Sequence, residues 1–141
     1  IRAMRLYSEA LLELEPSFKT AQGLEDFLRP QATGSAVLWL PQPELDGLSA
    51  LEASWSVTSD SLAVALAQAL GIPRVLFIKS VPALTTSESL TDAIGHGILD
   101  AALPDILGRK DLQLYRVGPD APEILNRGLE APQSWFTRLE P

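Results

Sequence analysis

The stretch from Thr58 to Lys79 limits the folds open to this chain more than any other part of its sequence. Residues 58–61 (Thr-Ser-Asp-Ser) are of the types that begin helices, and the apolar-rich run after them ends at Gly71, a typical residue for the end of a helix. Pro73 then leads into Val75 to Ile78, which has the length and branching of a buried strand. A capped helix that leads directly into a buried strand indicates an α/β fold.

Helical and strand patterns alternate along the rest of the chain. Helices are predicted at Ile1 to Leu14, Ala21 to Leu28 (stopping at Pro30), Ile98 to Leu107 and Pro122 to Leu129, and strands at Ala36 to Leu40, Leu112 to Val117 and Ser134 to Leu139. Loops are predicted at Pro41 to Trp55 and Ser80 to Asp92. Because strands that are apolar throughout lose water on both faces, we expect a mainly parallel sheet with helices on both faces.

Composition narrows the class of protein. A chain of 141 residues that is 46% hydrophobic has the size and core of one domain. Its 18 acidic and 11 basic residues, with a net charge of −7 and no basic stripe, argue against nucleic-acid binding. No apolar run approaches the roughly 18–20 residues of a membrane helix, and no signal peptide is evident, so we expect no membrane partner and a cytoplasmic location.

Residue usage also excludes several chemistries. The chain has no cysteine and one histidine, which excludes disulfides, thiolate metal sites and multi-histidine metal sites within it. The first residue is Ile1, and the helical pattern begins there at once. We therefore expect a single domain over residues 1–141 that is incomplete at its amino terminus.

Polar residues stand where the predicted helix begins and where the predicted strand ends. Ligands of open α/β sheets bind beyond the carboxyl ends of strands, close to helix amino termini. Asp60 could hold a lysine or a metal-bound phosphate there, while Lys79 could bind a phosphate and Ser80 could donate a hydroxyl. A simpler interpretation stays open, in which the hydroxyls only cap the helix and Lys79 only reaches solvent.

Two other polar positions carry less weight. Gly95-His96-Gly97 predicts a turn, and His96 is taken as structural. Asp100 falls in the first turn of the predicted helix from Ile98, where a carboxylate stabilises the helix dipole without any ligand.

The region from Trp55 to Ser80 resembles the nucleotide site of the amino acid kinase superfamily, which includes aspartate, acetylglutamate and uridylate kinases. The likeness is carried by Trp-Ser-Val-Thr-Ser-Asp-Ser-Leu-Ala at 55–63, then Ala67, Leu70-Gly71 and Val-Leu-Phe-Ile-Lys-Ser at 75–80. Together with Ala3-Met4 and Trp39-Leu40-Pro41, this form is most similar to the small-molecule kinases of methanofuran-type cofactor biosynthesis. Those enzymes phosphorylate an aminomethylfuran-methyl phosphate.

The resemblance implies an ATP-dependent phosphotransferase that acts on a small phosphorylated or acidic metabolite, with Mg²⁺ and ATP as cofactors. Asp60 would organise the phosphoryl-transfer residues. Thr58, Ser59 and Ser61 would lie near the substrate, and Lys79 and Ser80 would border the nucleotide. The family likeness also implies a homodimer.

The sequence departs from the superfamily in ways that favour an alternative. The lysine and glycine-rich turns that cradle the transferred phosphoryl group do not occur, no lysine lies between Lys79 and Lys110, and Val81-Pro82-Ala83 replaces the usual acidic residue and glycine. The alternative is a non-catalytic nucleotide- or anion-binding member with a regulatory or structural role. A third reading is a flavodoxin-type domain that binds another anion at residues 58–61.

Overall fold

The computed structural model describes residues 2–31, 36–42, 51, 54–83, 87–108, 111–126 and 136–140 of the chain. By its internal contacts the chain divides into two compact units, residues 1–54 and residues 55–141. Both contain helices and parallel strands, so the α/β prediction is confirmed. That all 141 residues form one domain stays a prediction.

Helices and strands alternate along most of the chain, except that β4 follows β3 and α5 follows α4 directly. The helices are α1 (Arg2–Leu14), α2 (Leu24–Gln31), α3 (Ser59–Leu70), α4 (Leu90–Gly95), α5 (Leu103–Ile106) and α6 (Ala121–Asn126). The strands are β1 (Lys19–Ala21), β2 (Val37–Trp39), β3 (Arg74–Ile78), β4 (Ser87–Ser89), β5 (Gln113–Val117) and β6 (Thr137–Glu140).

The first unit combines α1 and α2 with a parallel pair of strands, β1 and β2. Ser8 on α1 is buried, and its hydroxyl donates 3.1 Å to the carbonyl oxygen of Trp39 at the end of β2. The prediction of a helix from Ala21 to Leu28 was wrong at both ends, since Ala21 closes β1 and α2 runs through Pro30 to Gln31. A three-residue strand is too short to give a periodic signal, so the sequence pattern did not predict β1.

The second unit contains a four-stranded sheet in the order β3-β5-β6-β4. β3 pairs in parallel with β5 and β4 pairs in parallel with β6, but β5 and β6 are antiparallel. The sheet is therefore mixed. Buried and exposed residues alternate along β6, a pattern more typical of antiparallel strands than of parallel strands buried on both faces.

The region after β3 differs most from the sequence-based expectation. The predicted loop from Ser80 to Asp92 contains β4 and the first residues of α4. The predicted helix from Ile98 to Leu107 shrinks to the four residues of α5, which has a proline in its first turn. Proline lacks an N–H and suits a helix start rather than its interior, so the helix begins close to Pro104. Gly97, with φ of 67°, stands in the turn that closes α4.

The other boundaries lie closer to expectation. The predicted strand from Ala36 to Leu40 is shorter as β2, and the predicted helix from Pro122 appears as α6. The last strand, β6, spans Thr137–Glu140, while residues 134 and 135 of the predicted strand lie outside the described residues. Most of the predicted loop from Pro41 to Trp55 also lies outside them.

Apolar side chains cover both faces of β5. Leu114 belongs to a buried cluster with Val64 of α3 and Phe77 of β3, whereas Tyr115 and Val117 belong to a second cluster with Phe136. Neighbouring residues of a strand point to opposite faces, so these two clusters lie on opposite sides of the sheet. α3 therefore packs on the face that carries Leu114 and Phe77.

The end of β5 approaches the segment after β3 closely at Gly118. A methyl group added there would meet the Cα atom of Pro82 at 2.9 Å and the backbone nitrogen of Ala83 at 3.0 Å. We expect Gly118→Ala to lower the free energy of unfolding by about 1–3 kcal/mol, because the backbone must shift to admit the methyl group. Urea denaturation measures this change. Gly95→Ala is the matched control, since nothing lies within 4 Å of its added methyl group. Equal stability of the two variants would contradict the close approach.

Candidate functional site

The start of α3 and the end of β3 are joined by an ion pair. The ammonium nitrogen of Lys79 lies 2.8 Å from Oδ1 and 2.7 Å from Oδ2 of Asp60. The Asp60 side chain is 7% exposed and that of Lys79 is 22% exposed, so the pair is largely shielded from water but still reachable. Sequence reasoning placed each residue on its element, and the structure brings their charges together.

Local structure explains why these two residues meet. α3 ends at Gly71, whose φ of 68° places it in the left-handed region, and its N–H and that of Ile72 donate to the last carbonyls of the helix. The chain then reverses into β3, so the beginning of α3 lies beside the end of β3. Lys79 follows the last strand residue directly, and its own N–H donates 2.9 Å to the Val117 carbonyl.

The amino terminus of α3 is capped by a residue from far along the chain. Asp100 is 9% exposed, and its carboxylate accepts four hydrogen bonds. Thr58 donates from its backbone N–H and its hydroxyl, each at 2.6 Å, and Ser61 donates from its N–H at 3.0 Å and its hydroxyl at 2.7 Å. The carboxylate thus satisfies two N–H groups at this helix end, one of them on Ser61 inside the first turn.

This arrangement corrects two sequence-based expectations. The hydroxyl of Thr58 does not cap α3 but donates to Asp100. Asp100 does not lie inside a helix, since α5 begins later, and it stabilises the amino terminus of α3 instead of its own helix. Nothing local in the sequence marks Asp100 for this role, because it acts on residues 39 and 42 positions away.

The pKa values of the two buried carboxyl groups are shifted in opposite directions. Burial raises the pKa of Asp60 above the ordinary value, although Lys79 and the backbone N–H of Asp100 partly offset this effect. Burial also acts to raise the pKa of Asp100, but the hydrogen bonds from Thr58 and Ser61 outweigh it, and the pKa of that carboxyl is lowered.

The predicted site residues divide into two groups. In the first group, Asp60 pairs with Lys79, and the hydroxyls of Thr58 and Ser61 donate to Asp100. These two hydroxyls therefore bind the protein's own carboxylate. Ser59 opens α3 and Ser80 follows Lys79, and both are exposed. His96 is also exposed, within a turn.

Sequence reasoning missed a buried arginine on the central strand β5. Arg116 is 4% exposed, and its Nε donates to a carboxylate oxygen of Glu88 on β4. Its Nη1 donates 3.2 Å to each of the carbonyl oxygens of Val81 and Pro82. The available signal was a single charge in the largely apolar run from Leu112 to Val117, since a buried charge requires partners.

Among the described residues, no group of three or more histidine or acidic side chains is placed to hold a metal ion. None of the helices in the part of the chain that the structure describes is long and apolar enough to cross a membrane. No protein-family model matches the chain, and no curated protein matches it.

Proposed function

We propose that this chain belongs to an amino-acid-kinase-type protein of the cytoplasm that binds Mg-ATP at the carboxyl end of β3. The proposed activity is phosphoryl transfer to a small phosphorylated or acidic metabolite, with an aminomethylfuran phosphate as the candidate suggested by the sequence resemblance. The observation that carries the proposal is the Lys79 ammonium group, which both oxygens of Asp60 hold beside the start of α3. Open α/β sheets bind ligands at this position.

The donors at this position suit phosphate oxygens. A lysine ammonium has three N–H donors, and the two contacts to Asp60 leave one for a ligand. The exposed hydroxyls of Ser59 and Ser80 flank the pair at the helix start and the strand end. Asp60 thereby acts as an organising residue, which aims Lys79 rather than touching the nucleotide.

The charges at the site favour a nucleotide that arrives with its metal. The Asp60 carboxylate balances the ammonium charge of Lys79, and the negative charge of Asp100 also acts on Asp60, so the local charge is negative and disfavours a bare phosphate. Both carboxylates are already engaged in hydrogen bonds. We therefore expect the phosphates and water to hold Mg²⁺. The metal would supply charge neutralisation for phosphoryl transfer.

The finer features of the fold class and the homodimer are part of the same proposal. An amino-acid-kinase-type domain would have three layers, with a mainly parallel sheet between helices. On α1 the side chains of Leu6, Tyr7 and Leu14 are 67%, 68% and 81% exposed. Such apolar exposure on one helix supports pairing between two copies of the chain.

A non-catalytic member of the same fold is the second candidate. It is favoured by the pairing of Asp60 with Lys79, which neutralises both charged groups, and by the engagement of Thr58 and Ser61 with Asp100. Such a protein would bind a nucleotide or another anion without turning it over.

Calorimetric titration with Mg-ATP tests the proposal. We expect the wild-type chain to bind Mg-ATP, and Asp60→Asn to weaken binding at least about tenfold, or ~1.4 kcal/mol, because an amide cannot hold Lys79 by charge. Asp92→Asn, an exposed aspartate in the first turn of α4, is the matched control and should bind as the wild type does.

Turnover of ATP then separates the two candidates. Release of ADP in the presence of small phosphorylated or acidic acceptors, including an aminomethylfuran phosphate, would support the phosphotransferase. Binding without turnover would support the non-catalytic member. If the wild-type chain binds neither Mg-ATP nor inorganic phosphate, both candidates fail.

A further inference from the structure

Arg116 lies on the same face of the sheet as the Lys79–Asp60 pair. In the parallel pairing of β3 and β5, Arg116 stands opposite Phe77, so both side chains point to the face on which α3 packs. Lys79 is two residues beyond Phe77 and returns to that face, where its ammonium lies 6.0 Å from the centre of the Phe77 ring. The Arg116 side chain therefore lies on the strand next to β3 and on the same face of the sheet as the candidate site.

The contacts of Arg116 converge on the segment that follows Lys79. One guanidinium nitrogen holds the carbonyls of two consecutive residues, Val81 and Pro82, at 3.2 Å each. The guanidinium is in turn held by Glu88 on β4, although β6 lies between β4 and β5. A planar fork with several donors in fixed directions can hold two carbonyls and a carboxylate together, whereas a lysine ammonium offers only a mobile point charge.

The same segment is held from a second position, directly after the end of β5. Gly118, two residues after Arg116, approaches the backbone of Pro82 and Ala83 so closely that a methyl group does not fit. The amide of Lys79 is bonded to Val117 between these two positions. Three successive residues at the end of β5 and just after it, residues 116–118, therefore fix the chain from Lys79 to Ala83.

We propose that Arg116 is a positioning residue for the ligand site, because it fixes the 80–83 segment and through it the placement of Lys79 and Ser80. This inference rests on the proposed function for the ligand, Mg-ATP, but the anchoring itself does not. Glu88 supports this role, since it accepts from Arg116 Nε and so orients the guanidinium.

Limited proteolysis with trypsin tests whether Arg116 holds the 80–83 segment, because trypsin cleaves after lysine and arginine. Release of the 80–83 segment exposes the Lys79–Ser80 bond, whereas the Arg138–Leu139 bond in β6 reports loosening of the sheet as a whole. In Arg116→Lys, which keeps the charge and loses the fork, we expect cleavage after Lys79 to rise about tenfold relative to cleavage after Arg138. A double variant, Arg116→Met with Glu88→Met, removes both charges together and should show the same ratio. Lys19→Met, at an exposed lysine of the first unit, is the control and should leave the ratio unchanged.

Binding of Mg-ATP is measured on the same variants. We expect the dissociation constant to rise about tenfold in both Arg116 variants while the control binds as the wild type does. An unchanged cleavage ratio in Arg116→Lys and in the double variant would overturn the anchoring role. Normal affinity in variants with faster cleavage after Lys79 would overturn the positioning role. If the wild-type chain does not bind Mg-ATP, the proposed function fails, and the cleavage ratio alone still decides whether Arg116 anchors the segment.

Discussion

Lys79→Met is expected to lower the free energy of unfolding by about 3–5 kcal/mol at neutral pH, because it leaves the buried Asp60 carboxylate without its counter-ion. Methionine fills much of the space of the lysine stem, so the loss reports the charge rather than a cavity. Urea unfolding followed by circular dichroism measures it. Lys19→Met should change stability by less than about 0.5 kcal/mol, since Lys19 is exposed.

The pH dependence of this loss identifies Asp60 as its source. Burial raises the pKa of Asp60 in the folded chain, so its ionised form costs stability as the pH rises through that value. In Lys79→Met the carboxylate has lost its cation, and its pKa should rise further. The stability difference from the wild type should therefore shrink as the pH falls and Asp60 takes up a proton.

A double variant tests whether the charges of Asp60 and Lys79 are coupled. Lys79→Met combined with Asp60→Asn removes both charges, and we expect it to recover more than half of the stability lost in Lys79→Met alone. A deficit that does not change with pH and is not reduced by Asp60→Asn would show that the two charges are not coupled.

Asp100→Ala is the second change expected to have a large effect, with a loss of about 3–5 kcal/mol, because it removes the common acceptor of two backbone N–H groups and two hydroxyls. Asp100→Asn should cost less, about 1–2 kcal/mol, since an amide oxygen can accept several of these bonds and the Thr58 hydroxyl can turn to accept one. Urea unfolding of both variants gives the order of the effects.

A control variant and the dependence of stability on pH show whether the loss comes from Asp100 itself. Asp105→Asn changes an exposed aspartate of α5 and should be nearly neutral. The pKa of Asp100 is lowered in the folded chain, so its stabilisation is complete above the ordinary value of about 3.9 and is lost as the pH falls through the lowered value. Asp100→Asn should remove this part of the acid sensitivity. If Asp100→Ala is as stable as Asp105→Asn, the remote cap does not hold α3.

The predictive value of the sequence was highest where short-range signals agreed. The helix from Ser59, its end at Gly71 and the strand before Lys79 all appear as expected. It was lowest where elements were short: β1 and β4 have three residues each, and α5 has four. Such elements contain less than two periods of a helical pattern or barely one full alternation, so their residues alone cannot specify them.

The sequence by itself determined that Asp60 lies in the first turn of a helix and that Lys79 directly follows the next strand, because capping preferences, the glycine at the helix end and apolar runs act over a few residues. Only the tertiary structure decided that these two charges pair, that Asp100 caps α3 and that Arg116 holds the segment after Lys79. These contacts join residues 19 to 42 positions apart. The physical reason is that a buried polar group takes its partner from whatever the packing of helices and strands brings within reach, and neighbouring residues in the chain carry no record of that choice.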